Sequence, residues 1–298
     1  KTDMMKELEK SDKGVQMKKE KVLFMLLPFW TPLIPPLGIS CLKGYLQDHG
    51  YGVKTVDANT HMELWELYNT YYSILKAFIP EKRRGNFYNI GNDVLRNHLM
   101  AYINRENKVC YTQLIKTIIS RHYFCEITEN QVCELDRIVE IFFSRLGKYL
   151  SNILEKEKPD VVGISVYTGT LPASLFAFRL IKEKFPHIRT VMGGGVFADQ
   201  LNVGSPNFNL FVEKTPYIDK IIVGEGEILF LKYLRGELSD EQKVYTLQDN
   251  NDEVLDFSSV GVPDFSDFNT ENYPQIAAYA SRSCPFQCSF CSETVQWG

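Results

Sequence analysis

Three cysteines near the end of the chain carry the most specific chemistry in this sequence. They stand in Arg282-Ser-Cys-Pro-Phe-Gln-Cys-Ser-Phe-Cys-Ser292 as Cys284, Cys288 and Cys291, a C-x3-C-x2-C spacing. Three thiolates this close can hold three irons of a [4Fe–4S] cube, leaving the fourth iron without a protein ligand and open to a small molecule. A structural zinc site is the main rival, but it normally wants four ligands, and no His or Cys follows Cys291. A disulfide would need an oxidising compartment, and the charged stretch from Lys1 to Glu20 has no apolar signal region.

The cysteine spacing resembles the motif of the radical S-adenosylmethionine (SAM) superfamily. That resemblance implies that the open iron chelates the amino and carboxylate groups of SAM, and that an electron from the cluster cleaves SAM to a 5′-deoxyadenosyl radical. It also implies that Phe290, the aromatic before the third cysteine, packs near the adenine.

The elements that must position this motif can be read from the rest of the chain. Its 298 residues allow about two domains. A net charge of −4 gives no basic footprint for nucleic acid. No run of about 18 apolar residues predicts a membrane span. Cys41, Cys110, Cys125 and Cys133 are scattered and read as buried or inert thiols. Free thiols and an oxygen-labile cluster together point to the reducing cytoplasm.

Val22–Leu27 is a continuous apolar run of strand length ending at Pro28, as expected of a parallel strand buried on both faces. A proline-rich loop, 28–36, precedes a helix over about 37–49, which Gly50 stops. Gly52–Asp57 is a second strand. Residues 60–158 break the rhythm with helical patches at 62–78, 94–103, 111–120 and 134–154, read as a helical insertion. Strands then return at 160–166, 188–192 and 218–223, with helices over 171–185 and 228–234. This alternation predicts a doubly wound parallel five-stranded Rossmann-like sheet in the flavodoxin-like order 2-1-3-4-5. A hairpin is expected around Asp249–Asp252, a linker over 257–270, and a small strand at 276–280 delivering the cysteines.

In such a sheet, ligands bind beyond the carboxyl ends of the strands. The loops there carry Tyr167-Thr-Gly-Thr170, Gly193-Gly-Gly195 and Gly224-Glu-Gly-Glu227. Glycine lets backbone approach a ligand closely, although a triple glycine is also an ordinary tight turn, and Glu225 and Glu227 could equally cap a helix. None of these loops has the spacing of a dinucleotide fingerprint or a phosphate loop.

Taken in order, Pro35-Pro-Leu-Gly-Ile-Ser-Cys-Leu-Lys-Gly-Tyr-Leu46, Asp57, Pro159-Asp-Val-Val-Gly-Ile-Ser165, Gly193–Gly195 and Asp219–Glu227 resemble the N-terminal domain of cobalamin-binding radical SAM proteins. The resemblance covers about residues 21–59 and 158–298. It implies a cobalamin tail surrounded by Thr168, Thr170, Leu171, Gly193, Gly194, Gly195, Val196, Gly224, Glu225 and Gly226, with Pro35 and Pro36 at the upper edge. The Asp-x-His-x-x-Gly motif that offers a histidine to cobalt is absent. His61 sits at the wrong offset and reads as a surface or packing residue.

The expected organisation is a leader (1–20), a cobalamin-binding domain (21–240, with the insertion at 60–158), a hairpin and linker (241–274), and the truncated start of a radical SAM partial (β/α)6 barrel (275–298). Most of that barrel would lie beyond Gly298, so this segment alone is expected to be inactive. The resemblance implies methylation of an unactivated carbon or a phosphinate on a peptide or natural product. The cofactors would be a [4Fe–4S] cluster, SAM and cobalamin, and the electron donor a flavodoxin or ferredoxin. Two alternatives stay open: radical cyclisation, rearrangement or sulfur insertion with cobalamin unused, and a non-catalytic corrinoid-binding module.

Overall fold

The structure, a computed structural model, describes residues 19–253, 255–256, 261–279, 286 and 288–289. Six strands form one all-parallel sheet: β1 (Lys21–Leu26), β2 (Gly52–Asp57), β3 (Val161–Ser165), β4 (Arg189–Gly193), β5 (Lys220–Ile222) and β6 (Val244–Tyr245). Their order is β2-β1-β3-β4-β5-β6. The expected order of the first five holds, and a sixth strand extends the sheet. β6 corrects the expected hairpin: it pairs parallel to β5, with Ile221 opposite Val244 and Ile222 opposite Tyr245. The chain then turns because Thr246 and Asp249 form a reciprocal capping box over a short 3₁₀ helix, Leu247–Asn250.

Register aligns the carboxyl ends of the strands. Leu26 is level with Asp57 on one side and Ser165 on the other, and Ser165 is level with Gly193. The central strands are apolar on both faces, as a sheet covered on both sides requires.

Two helices cover one face: α1 (Leu37–Asp48) and, late in the chain, a helix at Glu227–Leu234. The segment between β2 and β3 contains α2 (Met62–Phe78), α3 (Phe87–Ile103), α4 (Lys108–Tyr123) and α5 (Glu129–Glu157). After β3 come α6 (Leu171–Lys184), α7 (Val196–Asp199) and α8 (Pro206–Lys214), which makes the helix at Glu227–Leu234 α9. The expected helical patches are all present, but α3, α4 and α5 begin earlier. Thr128 and Gln131 form a capping box that starts α5, a signal visible in the sequence. The short helices α7 and α8 are additional; Ser205 caps α8, with Pro206 in its first turn.

The insertion is no appendage. Leu23, Met25 and Leu27 of the first strand and the residues just after it share one apolar cluster with Tyr71, Phe142, Leu146 and Phe178. The other face holds a smaller cluster, including Phe24, Ile39, Leu46, Leu229 and Phe230. Residues 276–279 are not in a strand, contrary to expectation; Ala280 lies outside the described residues. Among the described residues, no helix is long and apolar enough to cross a membrane.

Candidate functional site

A cavity of about 160 Å³ opens between the sheet and the α1/α9 pair, at the carboxyl ends of the strands. An apolar cavity of roughly 150 Å³ admits a single aromatic ring. Its floor is Phe24, Gly163 and Ile164; α1 contributes Gly38, Ile39 and Leu42; and α9 contributes Glu227 and Phe230. Gly193, Gly194, Gly195, Gly224 and Gly226 form the rim.

Two of the glycines have distinct physical reasons. A Cβ at Gly38 would meet nothing within 4 Å, so the open space begins at its Cα. Gly194 has φ +108°, and a Cβ there would stand 2.5 Å from the Val166 nitrogen. That turn belongs to glycine because L side chains rarely adopt such a conformation.

The structure therefore brings together Gly193–Gly195, Gly224 and Gly226 from the sequence expectation. The remaining candidates stand elsewhere. Thr168 donates to an Asp199 carboxylate oxygen. Thr170 is buried, and its hydroxyl accepts from the Tyr167 amide at 3.0 Å, folding the loop before α6. Leu171 and Val196 are core residues. Pro35 is buried, and Pro36 immediately precedes the first turn of α1. Glu225 is buried, and its carboxylate accepts from the Leu255 amide at 3.2 Å. None of these seven residues lines the cavity.

Sequence reasoning missed Gly38, Gly163 and Tyr279 as lining residues, while Tyr167, in a loop it did single out, lines the cavity as well. Gly163 carried a readable signal, because glycine inside a strand often marks close approach. A Cβ there would lie 2.5 Å from the Phe24 ring, which packs edge-on against Phe230 with centroids 4.9 Å apart. Burial pushes the Tyr167 phenol above its ordinary pKa, while a hydrogen bond with Ser165 acts in the other direction. His61 packs edge-on against Tyr149, in keeping with a packing residue.

A strap of chain, residues 261–275, runs along α1 and β2 toward the same end of the sheet. Lys43 of α1 is 1 % exposed. Its ammonium meets Asp267 at 2.7 Å, Ser266 at 2.8 Å and Asp264 at 3.0 Å. The Asp267 carboxylate also accepts from the Thr55 amide at 3.0 Å. Farther along, the Tyr273 hydroxyl donates to Asp57 at 2.8 Å, and the Gln275 amide donates to the Leu33 carbonyl at 3.2 Å. Tyr279 then reaches the cavity wall, five residues before Cys284.

Cys288 is exposed. Cys284, Cys291 and Phe290 lie outside the described residues, and among the described residues no cluster of His, Cys, Asp or Glu could hold a metal ion. The donor chemistry of the cysteines suits an iron–sulfur cluster. The open space beside Gly38 and the glycine rim suit a flat heterocycle of the kind that ends a corrinoid tail.

No family model matches the chain. It is 25 % identical over 190 residues to an uncharacterized methyltransferase of Pyrococcus horikoshii, covering 57 % of this chain and 39 % of that one. It is 29 % identical over 164 residues to the cobalamin-dependent radical SAM methyltransferase TokK of Streptomyces tokunonensis, covering 47 % and 22 %. It is 25 % identical over 174 residues to the anaerobic magnesium-protoporphyrin IX monomethyl ester cyclase of Cereibacter sphaeroides, covering 50 % and 26 %. The chain thus spans less than two fifths of the length of each of these three relatives. Through its motifs and these relatives the chain is similar to proteins of the cobalamin-binding-domain radical SAM superfamily.

Proposed function

We propose that this chain is the corrinoid-holding part of a radical SAM enzyme, and that the enzyme is a C-methyltransferase acting on an unactivated carbon or a phosphinate of a peptide or small-molecule substrate. The observation that carries the reading is the glycine-lined cavity at the carboxyl end of a parallel sheet, where ligands of such sheets bind. Relatives named as methyltransferases support the reaction type.

When bound, the cluster and SAM supply a hydrogen-abstracting radical and the corrinoid a transferable methyl group. Cys284, Cys288 and Cys291 are the cluster ligands in this reading, and Phe290 packs on the adenine of SAM. Gly38, Gly163 and the three glycines 193–195 leave room for the corrinoid tail, while Phe24 and Phe230 exclude water from it. The strap holds the chain that leads into the cysteines against the sheet. A small reducing protein such as a flavodoxin or ferredoxin delivers the electron, in the cytoplasm.

Relatives named as cyclases favour a second reading, a radical cyclisation or rearrangement without methyl transfer. Anaerobic reconstitution with iron, sulfide and hydroxocobalamin, followed by desalting and metal analysis, separates the two. About four irons and one cobalt per chain are expected for the methyltransferase. Iron without cobalt selects the second reading, and cobalt or zinc without iron sinks the radical mechanism.

A further inference from the structure

A second pocket, of about 310 Å³, lies where the insertion meets the loops after β1 and β3. It is separated from the glycine cavity by one stacked pair: Trp30, which lines the second pocket, lies 4.5 Å from Tyr167, which lines the first, with ring planes 27° apart. Both pockets therefore open at the carboxyl end of the sheet. The loop holding Trp30 is fixed in place. The Trp30 amide donates to Asn59 at 2.7 Å, and a Cβ at Gly169 would come within 2.9 Å of the Phe29 carbonyl oxygen.

The walls of this pocket are aromatic. Phe29, Trp65 and Tyr68 pack at tilted or edge-on angles with centroids 4.7–5.7 Å apart. A further ring can extend such a cluster with the same geometry. Trp30 is 43 % exposed, so one wall still faces solvent.

The polar side of the pocket is made of Thr31, Asn92, Asp93 and Arg96, with the Asp93 carboxylate paired to Arg96. The Tyr68 and Tyr72 hydroxyls both donate to the Asn92 carbonyl oxygen, at 2.9 and 2.5 Å. The amide nitrogen at the opposite end of Asn92 has no acceptor among the described residues. Arg96 is 3.0 Å from Asp93 through one terminal nitrogen, which leaves other guanidinium N–H groups to donate.

We propose that this pocket binds an aromatic ring carrying a neighbouring carbonyl or carboxylate oxygen, and that it is where the insertion recognises the substrate. The ring enters the Phe29–Trp65–Tyr68 cluster, and the oxygen accepts from Asn92 or Arg96. Two sources share this chemistry, an aromatic residue within a peptide and a free aromatic acid. The binding claim stands on the pocket alone; its assignment to substrate rests on the functional reading above.

The test is a ligand-observed NMR titration of the whole chain with N-acetylphenylalanine, its C-terminal amide and N-acetylalanine. Hydroxocobalamin binding is followed by absorbance in parallel, and circular dichroism checks the fold of each variant. Both aromatic probes are expected to saturate with Kd on the order of 1 mM, the alanine probe not at all. If the free acid binds more tightly than the amide and Arg96→Gln removes the advantage, about tenfold, the source is a free acid. Equal affinities, weakened by Asn92→Leu and not by Arg96→Gln, assign a peptide carbonyl. Absence of saturation, equal response to the alanine probe, or affinities unchanged in both variants and in Trp30→Ala overturns the proposal. Arg96→Gln leaves corrinoid binding unchanged. Probe binding without corrinoid binding overturns the functional reading alone, and corrinoid binding without probe binding overturns this inference alone.

Discussion

At the scale of single residues, the glycines divide into those that leave space and those that permit a backbone shape, and substitution distinguishes them. Gly38 is in the first turn of α1 with open space where its Cβ would be. Gly38→Ala should be neutral or stabilising by up to about 1 kcal/mol, because alanine is the better helix former. Gly38→Phe should leave the melting temperature near the parent value yet weaken hydroxocobalamin binding at least about tenfold, since the ring fills the cavity. Equal corrinoid affinity in Gly38→Phe would remove this cavity from the proposed site. Gly194→Ala should behave oppositely: φ +108° and the Val166 backbone 2.5 Å from the new carbon predict a loss of about 1–3 kcal/mol in denaturant unfolding.

At the scale of elements, the strap depends on charge placed beside apolar helix packing. Lys43 is buried between Asp264 and Asp267, and Lys54 shares Asp267 at 2.8 Å. Removing one partner of a buried pair typically costs about 3–5 kcal/mol because the other charge stays unpaired. Lys43→Met should fall at the low end, since Lys54 still pairs with Asp267, and it should increase protease cutting within 261–275. Burial raises the Asp264 pKa, but hydrogen bonds from Ser266 and the Lys43 charge outweigh it and hold the group at about 2. Asp267 is also lowered: burial opposes, and Lys43, Lys54 and the Thr55 amide prevail.

A depressed folded-state pKa means that the unfolded chain binds protons first. The strap's contribution is therefore present above the ordinary value of 3.8 and is lost as pH falls from there toward about 2. Asp57, which Tyr273 anchors, has the opposite sign. Burial raises its pKa above 3.8 despite bonds from Asn59 and Tyr273, so its charged form costs stability at higher pH and acidification relieves that cost. Hydrogen exchange at the Thr55 and Asp264 amides should therefore accelerate below pH 3.8 in the parent and show a smaller step in Lys43→Met, where Lys54, Ser266 and the Thr55 amide still hold the two carboxylates.

At the scale of the whole molecule, the insertion and the sheet form one cooperative unit. The apolar cluster runs from the first strand through α2 and α5 to Phe178 of α6, so neither part has a separate core on that face. Calorimetry should show a single unfolding transition, shifted upward as a whole by hydroxocobalamin. Saturation at about 100 times Kd adds about 2.7 kcal/mol. Two resolved transitions, with only one moved by the corrinoid, would mean that the insertion folds independently.

The sequence by itself determined the strands and their order through the first five, because buried parallel strands must be apolar runs and glycine-ended loops must follow them. It also determined the cysteine motif, whose spacing is local. Only tertiary structure decided that β6 joins the sheet, since two residues carry too little pattern to separate a parallel edge from a hairpin. It alone decided which loop residues face the cavity. Thr168, Thr170 and Glu225 had the right chemistry and the right loops, but each is held by a bond to its own surroundings. Gly38 and Tyr279, far apart in the chain, meet at one cavity because α1 and the strap converge on the same end of the sheet. The pairing of Lys43 with Asp264 and Asp267 was equally illegible, because a contact across more than two hundred residues leaves no periodicity for a sequence to display.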